Sequence, residues 1–238
     1  IQRILTEEAL RVREFELGQA RADALHNLGM AAEYRDNETG WHLMRMSNYA
    51  VAIARKMGLS ADQLKLIYVA APMHDVGKIG IPDSILLKPG KLSEDEFALM
   101  KTHTEIGSRI LSGSNALIKT ANEIALSHHE WWDGTGYPRG LKGENIPLLA
   151  RVCAVADVFD ALTSTRPYKH PWKVEAAREW IIAESGRCFD PAVVKGFDMA
   201  FHEILRIREL YRDEIIDPKQ KQMLPPINLT CSLPAVPN

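Results

Sequence analysis

The sequence predicts an all-α fold. Apolar residues recur at helical spacing in several segments, helix-capping signals precede others, and no segment shows the alternation and hairpin turns of a β-sheet. The 238 residues are long enough for one sizeable core or two small ones. We divide the chain into an N-terminal linker helix (residues 1–30), a main domain (31–212) and a C-terminal tail (213–238) that is rich in Pro, Lys and Gln.

The first 30 residues contain no proline, and Ile1, Leu5, Val12 and Phe15 recur at roughly helical spacing, which predicts one long helix. This helix either packs on the main domain or forms a linker or coiled coil that carries an upstream module. Because the chain begins with Ile1 rather than Met, we expect a piece of a longer polypeptide and favour the second interpretation.

The main domain contains further helix signals. Ser60 with Gln63, and Ser93 with Glu96, are capping boxes that predict helix starts, and Asp190 before Pro191 predicts the start of a last long helix. Pro and Gly predict two loops, GIPDSILLKPG and EWWDGTGYPRGLKGENIP. The other predicted helices are Trp41 to Met57, Ile146 to Thr165 and Trp172 to Glu184.

Composition excludes several classes of protein. The 29 Lys and Arg residues nearly balance 31 Asp and Glu residues, so the chain lacks the basic surface of a protein that binds polymeric nucleic acid. No apolar run reaches the roughly 18 residues that span a membrane. The three cysteines, Cys153, Cys188 and Cys231, are odd in number and have no CxxC spacing, which argues against a disulfide framework or a thiolate zinc site. This cysteine usage is compatible with a reducing compartment, and we expect the cytoplasm.

His74 and Asp75 lie in the apolar segment LIYVAAPMHDVGKIGIP, where a carboxylate is costly to bury unless a cation compensates it. A bound metal ion would compensate the negative charge of Asp75. Lys78 would share their face if a helix continues, where it could pair with Asp75 or approach a phosphate. A buried Asp–Lys pair beside a hydrogen-bonded His is the equal alternative.

Other ionisable residues favour a metal. His128 and His129 are adjacent at the end of a helical segment, and neutral imidazole is the commonest metal ligand. Asp157 lies among Val, Ala and Phe residues, with Asp160 about one turn further on; one of the two could instead bond to backbone or cap a helix. Taken singly, His103 is typical of a core His, and Glu38 with His42 is typical of a solvated pair.

The order of these residues, followed by Gly136-Tyr137-Pro138, resembles the HD-GYP family, the cyclic di-GMP phosphodiesterase branch of the HD superfamily. The ordered match covers roughly 160 positions, so it is far more specific than a lone His-Asp pair. Its segments are EYRDNETGWH, MHDVGKIGIPD, ILLKPGKL, HHEWWDGTGYPRGL, IPLLARVCAVADVFDALTS, RPYK and FDPAVV.

The resemblance implies an HD-superfamily helical bundle at residues 31–212, with the extra N-terminal helix outside it, and a centre of two or three divalent metal ions. A His and carboxylate set without thiolate suits iron, our first choice, then manganese, with nickel or zinc also compatible. The matching residues are His42, His74, Asp75 and Asp157 for one ion; Asp75, as a bridge, with His103, His128 and His129 for a second; and Glu38 for a third.

The resemblance also implies a reaction. Two ions activate water for in-line attack on phosphorus, with Asp75 and Lys78 as catalytic residues and Lys78 assisting the leaving 3′ oxygen. Arg166 and Lys169 would bind phosphates, and Tyr137 would stack on a guanine or, equally, anchor its loop. We expect hydrolysis of cyclic di-GMP to pGpG and on to GMP as the output of a bacterial second-messenger pathway.

Two alternatives stay open: the same chemistry on pGpG alone or on cyclic GMP-AMP, and a non-catalytic module that binds diguanylate cyclase (GGDEF) domains. The retained metal-ligand set favours an enzyme. Expected partners are the cyclic dinucleotide, a GGDEF domain at the GYP loop, an upstream receiver or sensor domain, and a second copy of the chain through the N-terminal helix.

Overall fold

The computed structural model describes residues 2–36, 40–164 and 170–212. These residues form α-helices joined by loops and short 3₁₀ turns, and they include no β-strand, which confirms the all-α prediction. The helices are α1 (Gln2–Arg35), α2 (Gly40–Lys56), α3 (Ala61–Ala70), α4 (Asp83–Leu86), α5 (Glu94–Lys101), α6 (His103–Ile110), α7 (Ala116–Ser127), α8 (Leu148–Thr163), α9 (Val174–Ala183) and α10 (Pro191–Leu210).

Helix α2 packs against both α8 and α10 in the centre of the molecule. Tyr49, Phe159 and Phe197, one from each helix, are fully buried there. The ring centroids are 5.6 Å apart for Tyr49 and Phe159 and 5.3 Å apart for Phe159 and Phe197. Burying such side chains contributes about 1.5–3 kcal/mol each, so this cluster holds fixed the helices that carry much of the candidate site.

The N-terminal helix is longer than predicted and has two different parts. It continues to Arg35, and Leu10 and Leu17 in its first half are more than half exposed. In its second half Ala22 and Leu25 belong to the hydrophobic core. The division of the chain at residues 30 and 31 stays a prediction, but packed residues already begin within the predicted linker.

Local sequence signals placed several helix ends correctly. Both predicted capping boxes are present, at Ser60 and Ser93, and the side chain of Asp190 caps α10. The loop predicted at residues 80–90 is partly wrong, because Asp83–Leu86 form a short helix after Pro82.

Residues 71–80 form two 3₁₀ segments, Ala71–Met73 and Val76–Gly80, rather than one continuous helix. The second segment lies against α6. A β-carbon on Gly77 would stand 1.8 Å from the carbonyl oxygen of His103, so only glycine permits this approach. The close packing brings Asp75 beside His103.

No helix among the described residues is long and apolar enough to cross a membrane. The predicted C-terminal tail, residues 213–238, lies outside the described residues.

Candidate metal centre

Five parts of the fold bring seven predicted ligands together. His42 lies in the first turn of α2, and Asp157 lies in the middle of α8. His74 and Asp75 separate the two 3₁₀ segments. The remaining ligands lie at helix ends: His103 is the first residue of α6, and His128 and His129 directly follow α7.

The potential donor atoms form two groups, in each of which all atoms lie within 4.8 Å of one another. One group consists of His42, His74 and Asp157, and the other of Asp75, His103, His128 and His129. The resemblance to the HD-GYP family implies the same two groups, except that it assigns Asp75 to both ions and adds Glu38 for a third ion.

The two oxygens of Asp75 face different groups. Its Oδ1 lies 3.2 Å from Nε2 of His103 and 3.5 Å from Nε2 of His128. Its Oδ2 lies 3.3 Å from Nε2 of His74, which belongs to the other group. Asp75 therefore occupies the position expected of a bridging carboxylate.

Hydrogen bonds orient four of the five imidazoles in the same way. Nδ1 of His74 lies 3.1 Å from the carbonyl oxygen of Ala71, and Nδ1 of His103 lies 2.8 Å from that of Met100. Nδ1 of His128 faces the carbonyls of Ile124 and Ala125, both at 3.1 Å, and Nδ1 of His42 faces Asp160. Because these oxygens only accept, each Nδ1 carries the proton and each Nε2 presents its lone pair to the cluster.

The buried atoms at the centre fit a cation. Nε2 of His74, His103 and His128 and Oδ1 of Asp75 are buried, and none makes a hydrogen bond within the described part of the chain. Leaving such atoms unsatisfied costs about 1–3 kcal/mol each. Two divalent ions, one in each donor group, would satisfy these atoms: one at Asp75 Oδ1, His103 and His128, and the other at His74.

The charges at the centre also suit a cation. Burial alone would raise the pKa of the Asp75 carboxyl, but the Lys78 ammonium, then the neighbouring imidazoles, hold that pKa well below its ordinary value. Burial, reinforced by His128 and His103, holds the pKa of His129 well below its ordinary value. The result is an anionic carboxylate beside a neutral imidazole, which are the protonation states that metal binding requires.

A buried ion pair positions His42. Asp160 accepts hydrogen bonds from Nε and Nη2 of Arg45, at 2.6 and 3.0 Å, and from Nδ1 of His42 at 2.8 Å. Asp160 therefore orients a predicted ligand and is not itself a member of either donor group. The sequence interpretation missed Arg45, although an arginine three residues after His42 in a buried helix was a usable signal.

Lys78 lies beside the centre, and its catalytic role stays a prediction. Its Nζ is 2.8 Å from Oδ2 of Asp75 and also forms an ion pair with Asp36, just after the end of α1. The next residue towards the N-terminus, Arg35, donates hydrogen bonds to the carbonyl oxygens of Ile79 and Ile81 and pairs with Asp83. The end of α1 is thus bound to the segment that carries Lys78.

Tyr137 closes one side of the centre. Its ring stacks on that of His129, with centroids 4.7 Å apart and planes at 29°. A β-carbon on Gly136 would lie 2.2 Å from the backbone nitrogen of Trp131, so glycine is required for the loop to approach this closely. The buried carboxylate of Glu130 fixes the loop by accepting the backbone N–H groups of Arg139 and Leu141, at 2.8 and 2.9 Å.

Three predicted site residues lie outside the described residues. They are Glu38, the candidate ligand of a third ion, and Arg166 and Lys169, the candidate phosphate ligands. Their roles stay predictions.

Comparisons with known proteins identify the family. The sequence matches the model of the HD domain family over residues 17–193. It is 52% identical over 195 residues to "Cyclic di-GMP phosphodiesterase response regulator RpfG" of Xanthomonas campestris pv. campestris (strain 8004), covering 81% of this chain and 52% of that protein. It is 45% identical over 194 residues to "3'3'-cGAMP-specific phosphodiesterase 2" of Vibrio cholerae serotype O1, covering 81% of this chain and 37% of that protein.

A solved structure shares the fold. The crystal structure of a cyclic GMP-AMP-specific phosphodiesterase of V. cholerae superimposes with a TM-score of 0.59 at 22% sequence identity, covering 84% of this chain and 52% of the other. The chain spans about half the length of the first relative named above. With the His-Asp pair at residues 74–75 and GYP at 136–138, the chain belongs to the HD domain family, in its HD-GYP branch.

Proposed function

We propose that the chain is a metal-dependent phosphodiesterase that hydrolyses cyclic di-GMP to pGpG and then to GMP. One observation carries the proposal: seven His and Asp side chains from five parts of the fold converge in two donor groups on either side of Asp75. The names of the 52% identical Xanthomonas protein and of the cyclic GMP-AMP phosphodiesterase of V. cholerae support cyclic dinucleotides as the substrate class.

In the proposed enzyme His42, His74 and Asp157 would hold one ion and His103, His128 and His129 another, with Asp75 as the carboxylate shared between them. Bound ions would supply Lewis-acid activation of water and neutralise the charge of the phosphodiester. Iron is our first choice and manganese the second, with nickel or zinc also compatible, because the donors are imidazole and carboxylate without thiolate. Glu38 is the proposed ligand of a third ion.

The protein groups around the centre act on the rest of the substrate. Hydrolysis forms a bond from a water oxygen to phosphorus and breaks the bond from phosphorus to a 3′ oxygen, which must gain a proton. Lys78 is the proposed donor or charge stabiliser at that oxygen, since its Nζ lies within 2.8 Å of Asp75 and therefore beside the reacting phosphate. Arg166 and Lys169 are the proposed phosphate ligands.

A second candidate substrate is cyclic GMP-AMP, on which the 45% identical relative acts by name; pGpG alone is a third. A non-catalytic module that binds GGDEF domains through the GYP loop is the alternative from another class. The described donor groups favour catalysis, because a module that only bound a partner would have no use for two complete sets of metal ligands. The cytoplasm, a receiver or sensor domain upstream and a second copy at α1 remain our expectations for the longer protein.

An anaerobic assay tests the proposal. The protein is supplied with Fe²⁺ or Mn²⁺ and incubated with cyclic di-GMP, cyclic GMP-AMP or pGpG, and products are separated by chromatography. We expect pGpG and then GMP from cyclic di-GMP, and we expect D75A to abolish turnover because it removes the shared carboxylate. Turnover by D75A at the wild-type rate, or no turnover of any of the three by the metal-loaded wild type, would contradict the proposal.

A further inference from the structure

A second aromatic ring lies next to that of Tyr137. Phe97, on α5, exposes 47% of its surface, and its ring centroid lies 6.3 Å from that of Tyr137 with the planes at 81°. A single exposed apolar residue is ordinary. Here, however, the rings of Phe97 and Tyr137 meet almost at a right angle beside the candidate centre. We call this pair of rings the aromatic corner; its shape suits a flat group with apolar faces.

A lysine accompanies the two rings. Nζ of Lys101, one turn after Phe97 on α5, lies 5.3 Å from the Phe97 centroid and 5.9 Å from the Tyr137 centroid, within the range of cation–π attraction. Within the described ranges Lys101 has no carboxylate partner, although other lysines such as Lys88 are paired. The corner therefore combines two rings with a cation whose hydrogen-bonding capacity is still available.

The corner is continuous with the donor groups. The ring of Tyr137 stacks on that of His129 and also meets that of Phe97, and its centroid lies 6.4 Å from that of His103. Helix α5 ends at Lys101, and α6 begins two residues later at His103. A phosphodiester held at the donor atoms would thus place one of its nucleosides next to this corner.

We propose that Phe97, Lys101 and Tyr137 form a subsite for one purine base of the cyclic dinucleotide, with the two rings contacting the base and Lys101 donating to O6 and N7 of guanine. The subsite rests on the proposed function. Aromatic contacts accept any base, but only guanine presents two acceptors at O6 and N7, whereas adenine presents a donor at N6. Lys101 would therefore favour guanine over adenine.

Kinetics with two substrates test the contact with the base. The kcat/KM for cyclic di-GMP is divided by that for bis(p-nitrophenyl) phosphate, a phosphodiester without a purine. We expect this ratio to fall about tenfold in F97A, since loss of one base–aromatic contact costs roughly that factor, and to recover in F97W. In the control L99A, which removes an exposed side chain from another face of α5, the ratio should keep its wild-type value. An unchanged ratio in F97A overturns the subsite.

Direct binding tests the role of Lys101 and separates the subsite from the proposed function. Affinities for GMP and AMP are measured by calorimetry for the Mn²⁺-loaded wild type, K101M and K101R. We expect K101M to lose most of the preference for GMP and K101R to retain it. Equal preference in wild type and K101M overturns the assignment. If the wild type turns over no cyclic dinucleotide but F97A and K101M weaken GMP binding, the proposed function fails and the base subsite stands.

Discussion

Two buried aspartates solve the same electrostatic problem in different ways. Asp160 is 1% exposed, and both of its oxygens accept hydrogen bonds, from Arg45, His42 and Ser164. Asp75 pairs with Lys78 through Oδ2, while its Oδ1 has no hydrogen bond within the described residues. Because both oxygens of Asp160 accept hydrogen bonds, this carboxylate has a structural role. Oδ1 of Asp75 accepts none from the described part of the chain and lies among imidazoles, so this carboxylate is suited to bind a cation.

We predict that D160N destabilises the protein by about 3–5 kcal/mol, because an amide N–H₂ group would then face Arg45 or His42 and leave a buried charge without its partner. Urea unfolding of metal-free protein measures the loss. The control is D198N, which breaks the pair between Asp198 and Arg178 at a site where both side chains are about 40% exposed; such pairs contribute about 0–1 kcal/mol. A loss in D160N no larger than that in D198N would show that the buried pair is not what holds His42.

Among the elements of the fold, α1 and the Val76–Gly80 segment are joined by several polar contacts. Arg35 and Asp36 bind the backbone and the lysine of that segment, while the first half of α1 extends away with exposed apolar residues. A displacement of α1 would be transmitted to Lys78 through these polar contacts. The helix is therefore both part of the packed domain and the direct link from the N-terminal region to the candidate centre.

We predict that R35Q lowers kcat for cyclic di-GMP about tenfold, because the segment carrying Lys78 loses its anchor and small displacements of a catalytic group are costly. Steady-state kinetics and a thermal melt are measured together. R55Q serves as the matched control, since Arg55 pairs with Glu203 on the surface between α2 and α10. Wild-type kcat in R35Q, or an equal fall in R55Q, would refute the link.

Local signals predicted the helices well, and long-range packing explains what they missed. Capping boxes at Ser60 and Ser93 act over three residues, so they were readable from the sequence. The pairing of Arg45 with Asp160 spans 115 residues. The break near His74 combines a local signal, Pro72 in the first 3₁₀ segment, with the close approach of Gly77 to α6, which no local pattern reports. The grouping of the seven candidate ligands came from the ordered family motif, because residue spacing alone left each of them ambiguous.

In the molecule as a whole, the fold brings together seven candidate metal ligands from distant parts of the chain. The central helices α2 and α8 fix His42 and Asp157, and the ends of α6 and α7 present His103, His128 and His129. The HD domain match spans these elements from residue 17 to residue 193. We expect this arrangement to bind at least two metal ions and to use them in catalysis.

Elemental analysis of the purified protein, paired with its turnover of cyclic di-GMP, tests whether the protein binds these ions and needs them for turnover. We predict at least two metal ions per chain in the active wild type. H103A should lose the ion next to Asp75, His128 and His129 and retain the one at His42, His74 and Asp157, with activity lost in parallel. Full turnover by protein that contains no metal would show that the reaction does not depend on a metal centre.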